Sequence, residues 1–341
     1  MRSNVPVLIS GVYRSGTTFA NAAISCFEGY SSLSSGLKFM RFCFGEYGEN
    51  LKTESQLNTL LEGCRSRLAH RWNIEISVDK ILSQVIDRNI SYSVAYDLII
   101  REILGINDKN TSHQWCDKLV LGWDVAEKYL ELFPEGVVVH VIRNPLDVLK
   151  SYERMTSEPS PIYLDSILNC YSSFVFAEKA TTKRNDRIVV CKAEELADPY
   201  SEVYERLSNL LGRKFDHNKF NSGNFHTLID QWSINSTRHK SISVNSLLSS
   251  HNNDSCFTDL ESYLLEHLCG KYMDKYSFSR NYQSVNFSQS EVENRLGFDY
   301  LIKRYRLAND GKDPGPSYYT NPVNLEWSIV NEEQAKTKQP R

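Results

Sequence analysis

The sequence predicts an α/β protein built on a central parallel sheet, and three observations carry that expectation. Val5 to Ile9, Val137 to Ile142 and Ile188 to Cys191 are short Val- and Ile-rich runs without the polar alternation of a half-exposed strand. Stretches of helical period separate them, the strand, helix, strand order of right-handed crossovers. The first run also passes through a glycine-bounded loop directly into a helix start.

Taken in order, Val5, Val7, Leu8 and Ile9 form the first strand and Gly11 ends it. Phe19, Ala22, Ala23, Cys26 and Phe27 then recur at helical spacing. Ser31 to Gly36 reads as a serine-rich loop, and K-F-M-R-F-C-F-G-E-Y-G-E after it mixes aromatics with charges, as a pocket wall or an anchored surface loop would. Leu57, Leu60, Leu61, Cys64 and Leu68 mark a helix within Leu51 to His70. Asp79 to Asn89 and Tyr92 to Leu104 are two more, the latter offering Val94, Leu98, Ile99 and Ile103 for burial.

Lys118 to Gly122 is a short apolar run. Asp124 is then expected to cap a helix through Phe133, with Glu127 in the box position and Pro134 and Gly136 as stops. Val137 to Ile142 is the most emphatic strand; Ile162 to Thr182 is a long helix, and a helix through Tyr204 to Leu211 follows the strand at Ile188. Asn218 to His226 reads as a polar loop and Ser241 to Ser255 as a mobile connection with the makings of a lid. Phe257 to Tyr276 and Glu291 to Tyr305 are the last helical patterns, ahead of an irregular tail. This organisation is one domain over residues 1–280 with a C-terminal helix and extension, 281–341, packed on it.

Composition narrows the partners. With 39 basic against 42 acidic residues the net charge is -3, so no global field draws nucleic acid or an anionic membrane. Eight scattered cysteines without a C-x-x-C pair indicate neither a zinc cluster nor a disulfide framework, and read as reduced core thiols. The apolar run near the N-terminus is too short for a secretory signal or a membrane span, which points to the cytoplasm.

Chemistry concentrates at two places. The loop from Gly11 to Gly16, feeding a helix at Thr17 and Thr18, is an anion cradle: its N–H groups and the helix dipole converge on one point. The glycine spacing is that of a P-loop nucleotide-binding fold, but Thr17 stands where G-x-x-x-x-G-K-[ST] has lysine. The loop's cation is Arg14. The second place is Arg143, at the end of the emphatic strand, followed by Asn144 as N-cap, Pro145 in the first turn, Asp147 facing free amides and Ser151 two turns along. In an open parallel sheet, ligands bind at that end of the strands.

Y-R-S-G-T-T at Tyr13 to Thr18 and R-N-P-L-D-V-L-K-S at Arg143 to Ser151 resemble the two signature elements of sulfotransferases that use 3'-phosphoadenosine 5'-phosphosulfate (PAPS). W-C-D-K at Trp115 to Lys118 resembles the family's lysine-bearing segment. R-I-V-V-C-K-A-E-E-L-A-D-P-Y at Arg187 to Tyr200 and L-L-G-R-K-F at Leu210 to Phe215 extend the likeness. The resemblance implies that Arg14, Ser15, Gly16, Thr17 and Thr18 receive the 5'-phosphosulfate, while Arg143 and Ser151 hold the 3'-phosphate. It also implies release of adenosine 3',5'-bisphosphate (PAP) and no metal. Arg14 and Lys118 are the candidates for cationic work on the leaving oxygen.

Lys118 is followed by Leu119 and Val120, so the Lys-Thr-His of the cytosolic phenol-type branch is missing, with its histidine base. The likeness is therefore closer to the carbohydrate-type or bacterial branch, and the acceptor expected is a hydroxyl on a sugar or glycan-like molecule. Glu46 and Glu49 are the candidate general bases, with His70, His113 and Asp117 as rivals. Arg238 and Lys240 are weaker candidates for a late cationic motif. Two other classes fit the loop: a kinase for a nucleotide or small molecule, and a nucleotide-binding module without catalysis.

Overall fold

A computed structural model of the chain describes residues 5–34, 37–48, 50–106, 112–153, 162–183, 186–225, 227–229, 257–280 and 286–317. Six strands form one sheet: β1 Val7–Gly11, β2 Tyr30–Ser34, β3 Gln114–Lys118, β4 Val137–Ile142, β5 Ile188–Lys192 and β6 Thr227–Ile229. Their spatial order is β5-β4-β1-β3-β2-β6, and every pairing is parallel. The α/β class and the central parallel sheet flanked by helices are thus as the sequence predicts. A parallel sheet must be covered on both faces, which is why β1, β3 and β4 are buried at every position.

On one face Val7, Ile9, Cys116, Val139, Val141 and Val189 meet α1 Thr17–Ile24, α8 Ala193–Ala197 and α9 Glu202–Leu211 through Phe19, Leu196, Tyr204 and Leu207. On the other, Leu8, Leu33, Trp115 and Val138 meet the long crossover between β2 and β3. That crossover comprises a π-helix, Phe39–Gly48, then α2 Glu54–Trp72, α3 Val78–Asp87 and α4 Tyr92–Ile103. The Leu57, Leu60, Leu61, Cys64 and Leu68 stripe of α2 is completely buried, as its spacing predicts. Each such leucine contributes roughly 1.5–3 kcal/mol.

A third apolar cluster lies around α7 Asp165–Thr182, reached from β4 through α6 Pro145–Glu153; the short α5 Ala126–Leu132, between β3 and β4, packs instead with the crossover helices through Ala126, Tyr129 and Leu130. It is completed by α11 Asp259–Leu264, a π-helical turn Leu265–Cys269, α12 Gly270–Lys275, α13 Gln289–Leu296 and α14 Asp299–Asn309. Arg304 of α14 is buried against Asp165 and donates to Asn169 Oδ1 at 3.2 Å, while Ser172 Oγ donates to Asp313 Oδ1. The described part of the C-terminal extension therefore shares its core with α7.

Several local expectations are corrected. Ser31 to Ser34 is strand β2, not loop, because pairing with β3 and β6 outweighs serine's preferences. Residues within the expected polar loop form α10, His217–Ser222, capped by the Asp216 side chain. Asp124 is not the N-cap of α5: the chain enters that helix through a 3-10 turn, Trp123–Val125, and Val125 takes the cap position. Glu291 to Tyr305 is two helices, parted at Gly297, which takes the left-handed φ of 67° as C-cap of α13. The Phe257 to Tyr276 pattern is likewise broken by the π-helical turn at Leu265–Cys269. Residues 241–255, Arg238, Lys240 and the tail beyond 317 lie outside the described residues. The seven described cysteines are all buried thiols.

His140 sits in the middle of β4, fully enclosed between Trp123 and Phe176, with Nε2 2.8 Å from Ser173 Oγ. Burial lowers its pKa from 6.5 to about 3. The folded state thus binds fewer protons than the unfolded chain below pH 6.5, and stability drops as pH falls from 6.5 toward 3. The slope from this residue approaches about 1.4 kcal/mol per pH unit. Urea melts between pH 7 and pH 5 should show it in the wild type and lose that share of it in His140→Gln; an unchanged slope in the variant would place the acid sensitivity elsewhere.

Candidate functional site

The order β4-β1-β3 brings three carboxyl-terminal strand ends side by side, carrying Arg143, the loop after Gly11, and Lys118. In register, Gly11 is opposite Val141 and Ile9 opposite Lys118. Gly11 has a φ of 149°, and a Cβ there would meet Val141 O at 2.5 Å, Ser15 Oγ at 2.8 Å and Thr17 Cγ2 at 2.9 Å. The loop therefore lies directly on β4 with no space for a side chain. Gly11→Ala is expected to destabilise the fold by about 1–2 kcal/mol, measured as a lower urea midpoint; an unchanged midpoint would mean that the loop yields.

Ser15 fastens the turn by donating both its N–H (3.2 Å) and its hydroxyl (2.7 Å) to Val12 O. Gly16, at φ 96°, is the N-cap of α1 and offers no capping side chain, and the first turn holds no acidic residue. Helix geometry directs the first-turn N–H groups of Thr17, Thr18 and Phe19 out of the helix start, where the dipole also favours an anion. The loop-to-helix geometry expected from the glycine spacing is present.

Lys118, the last residue of β3, is buried and donates from Nζ to Thr18 Oγ1 at 2.9 Å, so a cation stands against the first turn of α1. Its neighbour Cys116 faces the same helix, with Sγ donating to Asn21 Oδ1 at 3.3 Å. Asp117 points to the opposite face. There its Oδ2 accepts from Tyr96 OH at 2.9 Å and its Oδ1 from the Lys118 N–H at 2.7 Å.

At the end of β4, Asn144 Oδ1 accepts from Leu146 N at 3.1 Å and so caps α6 as expected. Its Nδ2 donates to both O and Oγ of Ser279 at 3.0 Å, tying this turn to the segment after α12. Arg143 Nη1 donates to Arg14 O at 3.0 Å. Arg14 Nε donates to Ser151 Oγ at 2.7 Å. The two elements predicted from sequence thus meet, and the loop arginine turns its side chain toward the second of them. Arg14 holds a left-handed φ of 66°, unusual for a non-glycine residue. Burial, and then the nearby Arg143, pull its pKa below the ordinary guanidinium value.

The remaining candidates separate. His113 lies at the amino end of β3, its Nε2 3.0 Å from Ser31 Oγ, a strand's length from Lys118. Glu46 is carried on the π-helix, though its side chain lies outside the described residues, as do Glu49 and the side chain of His70. Three participants escaped the sequence. Arg41, on the same π-helix, donates to Val120 O in the loop after Lys118. Ser279 supports Asn144 across a separation of 135 residues. Glu194 follows β5; burial pushes its carboxyl up, while its own backbone hydrogen bond and Arg143 pull it down. Among the described residues no group of three His, Cys, Asp or Glu is placed to hold a metal ion, and no helix is long and apolar enough to cross a membrane.

Comparison with known proteins agrees with this architecture. The sulfotransferase domain of the Synechococcus PCC 7002 olefin synthase superposes with a TM-score of 0.51 at 16% identity, over 82% of this chain and 98% of that one. The sulfotransferase domain from the curacin biosynthetic pathway gives 0.49 at 17%, over 82% and 100%. At 16% identity the likeness to the olefin synthase domain is one of fold. No curated protein matches significantly. The model of the sulfotransferase family matches residues 6–217, from before β1 to α10, which spans both the Gly11–Thr18 loop and the Arg143–Ser151 segment. The chain therefore belongs to the sulfotransferase family.

Proposed function

We propose that the chain transfers the sulfuryl group of PAPS to an acceptor hydroxyl, on a carbohydrate or glycan-like molecule, in the cytoplasm. The observation that carries this is the contact of Arg143 with the anion loop, at 3.0 Å from Arg14 O, with Lys118 across that loop on the other neighbouring strand. One adenosine ligand charged at both ends fits such an arrangement better than a triphosphate does. Thr17 occupies the position where a triphosphate loop needs its lysine.

The residues suit the group. The helix start of α1 carries no capping side chain at Gly16, and Gly11 lets the loop lie close on β4; two guanidinium groups and an ammonium border the loop. When bound, PAPS would supply the sulfuryl group and depart as the bisphosphate. The first-turn amides of α1 and the ammonium of Lys118 answer the negative charge that develops as the leaving oxygen separates. Thr18 holds that ammonium in place. The adenosine's 3'-phosphate falls to Arg143 and Ser151. Glu46 is our choice for the general base, with Glu49 as the alternative on the same segment. The π-helix carrying Glu46 is tethered by Arg41 to the turn after Lys118, whereas Asp117 is enclosed by Tyr96 and its own strand.

Titration calorimetry with adenosine 3',5'-bisphosphate against ATP with magnesium tests the cofactor class. Binding of the bisphosphate in preference to ATP supports the proposal; the reverse preference identifies a kinase.

A further inference from the structure

Asp117 adjoins the site's ammonium in sequence and faces away from it in space. It is 2% exposed, and its neighbour Lys118 4%. Side chains alternate across a strand, so the carboxylate and the ammonium leave the end of β3 on opposite faces of the sheet, with the Lys118 peptide between them. Oδ1 of Asp117 accepts from the Lys118 N–H at 2.7 Å, and the next N–H, of Leu119, donates to Ile9 O at 2.8 Å. The backbone on both sides of the Lys118 Cα is therefore held. The other carboxylate oxygen, Oδ2, accepts from Tyr96 OH at 2.9 Å. Burial, and then Asp117 itself, push the Tyr96 hydroxyl well above its ordinary value, so the proton stays on the tyrosine. The Tyr96 ring is in turn stacked against Trp115 of β3, 5.3 Å between centroids, and against Phe39, 4.3 Å, the first residue of the π-helix that carries Glu46.

We infer that Asp117 is a positioning residue for sulfuryl transfer: held by Tyr96, its buried carboxylate fixes the end of β3 and supplies the negative charge against which Lys118 is kept an ammonium. The inference rests on the PAPS reading above and on the role given there to Lys118. Enclosing a carboxylate is costly, and an amide of the same shape could make both hydrogen bonds, so hydrogen bonding alone does not account for an acid here. Charge does. An ammonium removed from water tends to shed its proton, and an opposite charge nearby opposes that loss. Three guanidinium groups border the same strand ends, those of Arg14, Arg143 and, at Val120 O, Arg41, which makes the ammonium harder still to keep. The leaving oxygen needs the charged form, because a neutral amine offers only a dipole where a cation is required. Asp117 is thus no rival to the glutamates for the acceptor proton; it acts at the other side of the reaction, through Lys118. The stack from Tyr96 to Phe39 also ties this brace to the π-helix, so the leaving-group cation and the proposed base are referenced to one buried tyrosine.

The experiment measures PAP release from PAPS, and calorimetric affinity for PAP, on the wild type, Asp117→Asn, Tyr96→Phe, Lys118→Met and the double variant Asp117→Asn with Lys118→Met. Asp117→Asn is expected to slow release about ten- to a hundred-fold, the scale of a misplaced or weakened reacting group, with PAP affinity changed by less than about twofold. Tyr96→Phe keeps the ring stack and removes one bond; it should slow release by a smaller factor, about three- to tenfold, the size of one hydrogen bond. In the Lys118→Met background, Asp117→Asn should slow release by less than about twofold, since the carboxylate acts through a lysine that is no longer there. A merely structural Asp117 would lower rate and affinity together, or give the same loss with and without Lys118, and either result overturns the inference. So would a wild-type rate in a folded Asp117→Asn protein. A wild type that does not convert PAPS would overturn the PAPS reading itself, and this inference with it. Should Asp117→Asn not fold, Tyr96→Phe alone and with Lys118→Met carries the same comparison; urea melts establish which variants are folded.

Discussion

Replacing Lys118 by Met is expected to slow release of bisphosphate from PAPS by about 10²- to 10³-fold, the range for loss of one preorganised charge at a developing anion. The measurement needs no knowledge of the acceptor, because bisphosphate is released whichever hydroxyl, water included, receives the sulfuryl group. Met keeps most of the buried volume of the lysine stem, so the fold should persist. Affinity for the bisphosphate should change far less than the rate, since the ammonium is asked to meet charge that appears only as the leaving oxygen separates. Lys118→Arg should not restore the rate: Lys118 is a buried point charge seated on Thr18 Oγ1 at 2.9 Å, and a planar fork does not reproduce that geometry. Equal losses in affinity and rate would make Lys118 a ground-state anchor and would require another source of charge at the leaving oxygen.

The parts of the site legible in the sequence are those where local chemistry and tertiary placement agree. β4 is apolar at nearly every position, Asn144 caps α6, and the glycines of the loop sit where a side chain would strike Val141 O or distort the helix start. Each is decided within a few residues, and the parallel sheet then aligns the strand ends. What could not be read depends on partners far along the chain. Three of the five residues of β2 are serines, weak strand formers that become a strand because β3 and β6 flank them. The π-helix at Phe39–Gly48 has no apolar period that a window of 3.6 would detect. Arg304 and Asp165, joined across 139 residues, carry no local mark of their pairing. The division of Gln289 to Asn309 into two helices was, by contrast, readable. Ser288 and Glu291 form a capping box and Gly297 is a left-handed stop, so the local punctuation marks the boundary that apolar periodicity alone runs across.

Replacing Arg143 by Ala is expected to weaken adenosine 3',5'-bisphosphate binding by about 1.5–3 kcal/mol, which calorimetry at fixed ionic strength would read as roughly a ten- to hundred-and-fifty-fold rise in Kd. The loss has two sources. The guanidinium is a direct candidate for the terminal phosphate, and it also steadies the anion loop through its bond to Arg14 O. These can be told apart with adenosine 5'-phosphate: a loss confined to the bisphosphate belongs to direct phosphate contact, and a smaller loss shared by both nucleotides belongs to the loop. Arg143→Lys should keep charge but not the bidentate fork, and should fall between the two. Unchanged affinity in a folded Arg143→Ala protein would remove the second anion element from the site. Two elements separated by more than a hundred residues would then touch in this fold without sharing a ligand, and the choice of PAPS over other nucleotides would lose its main physical support.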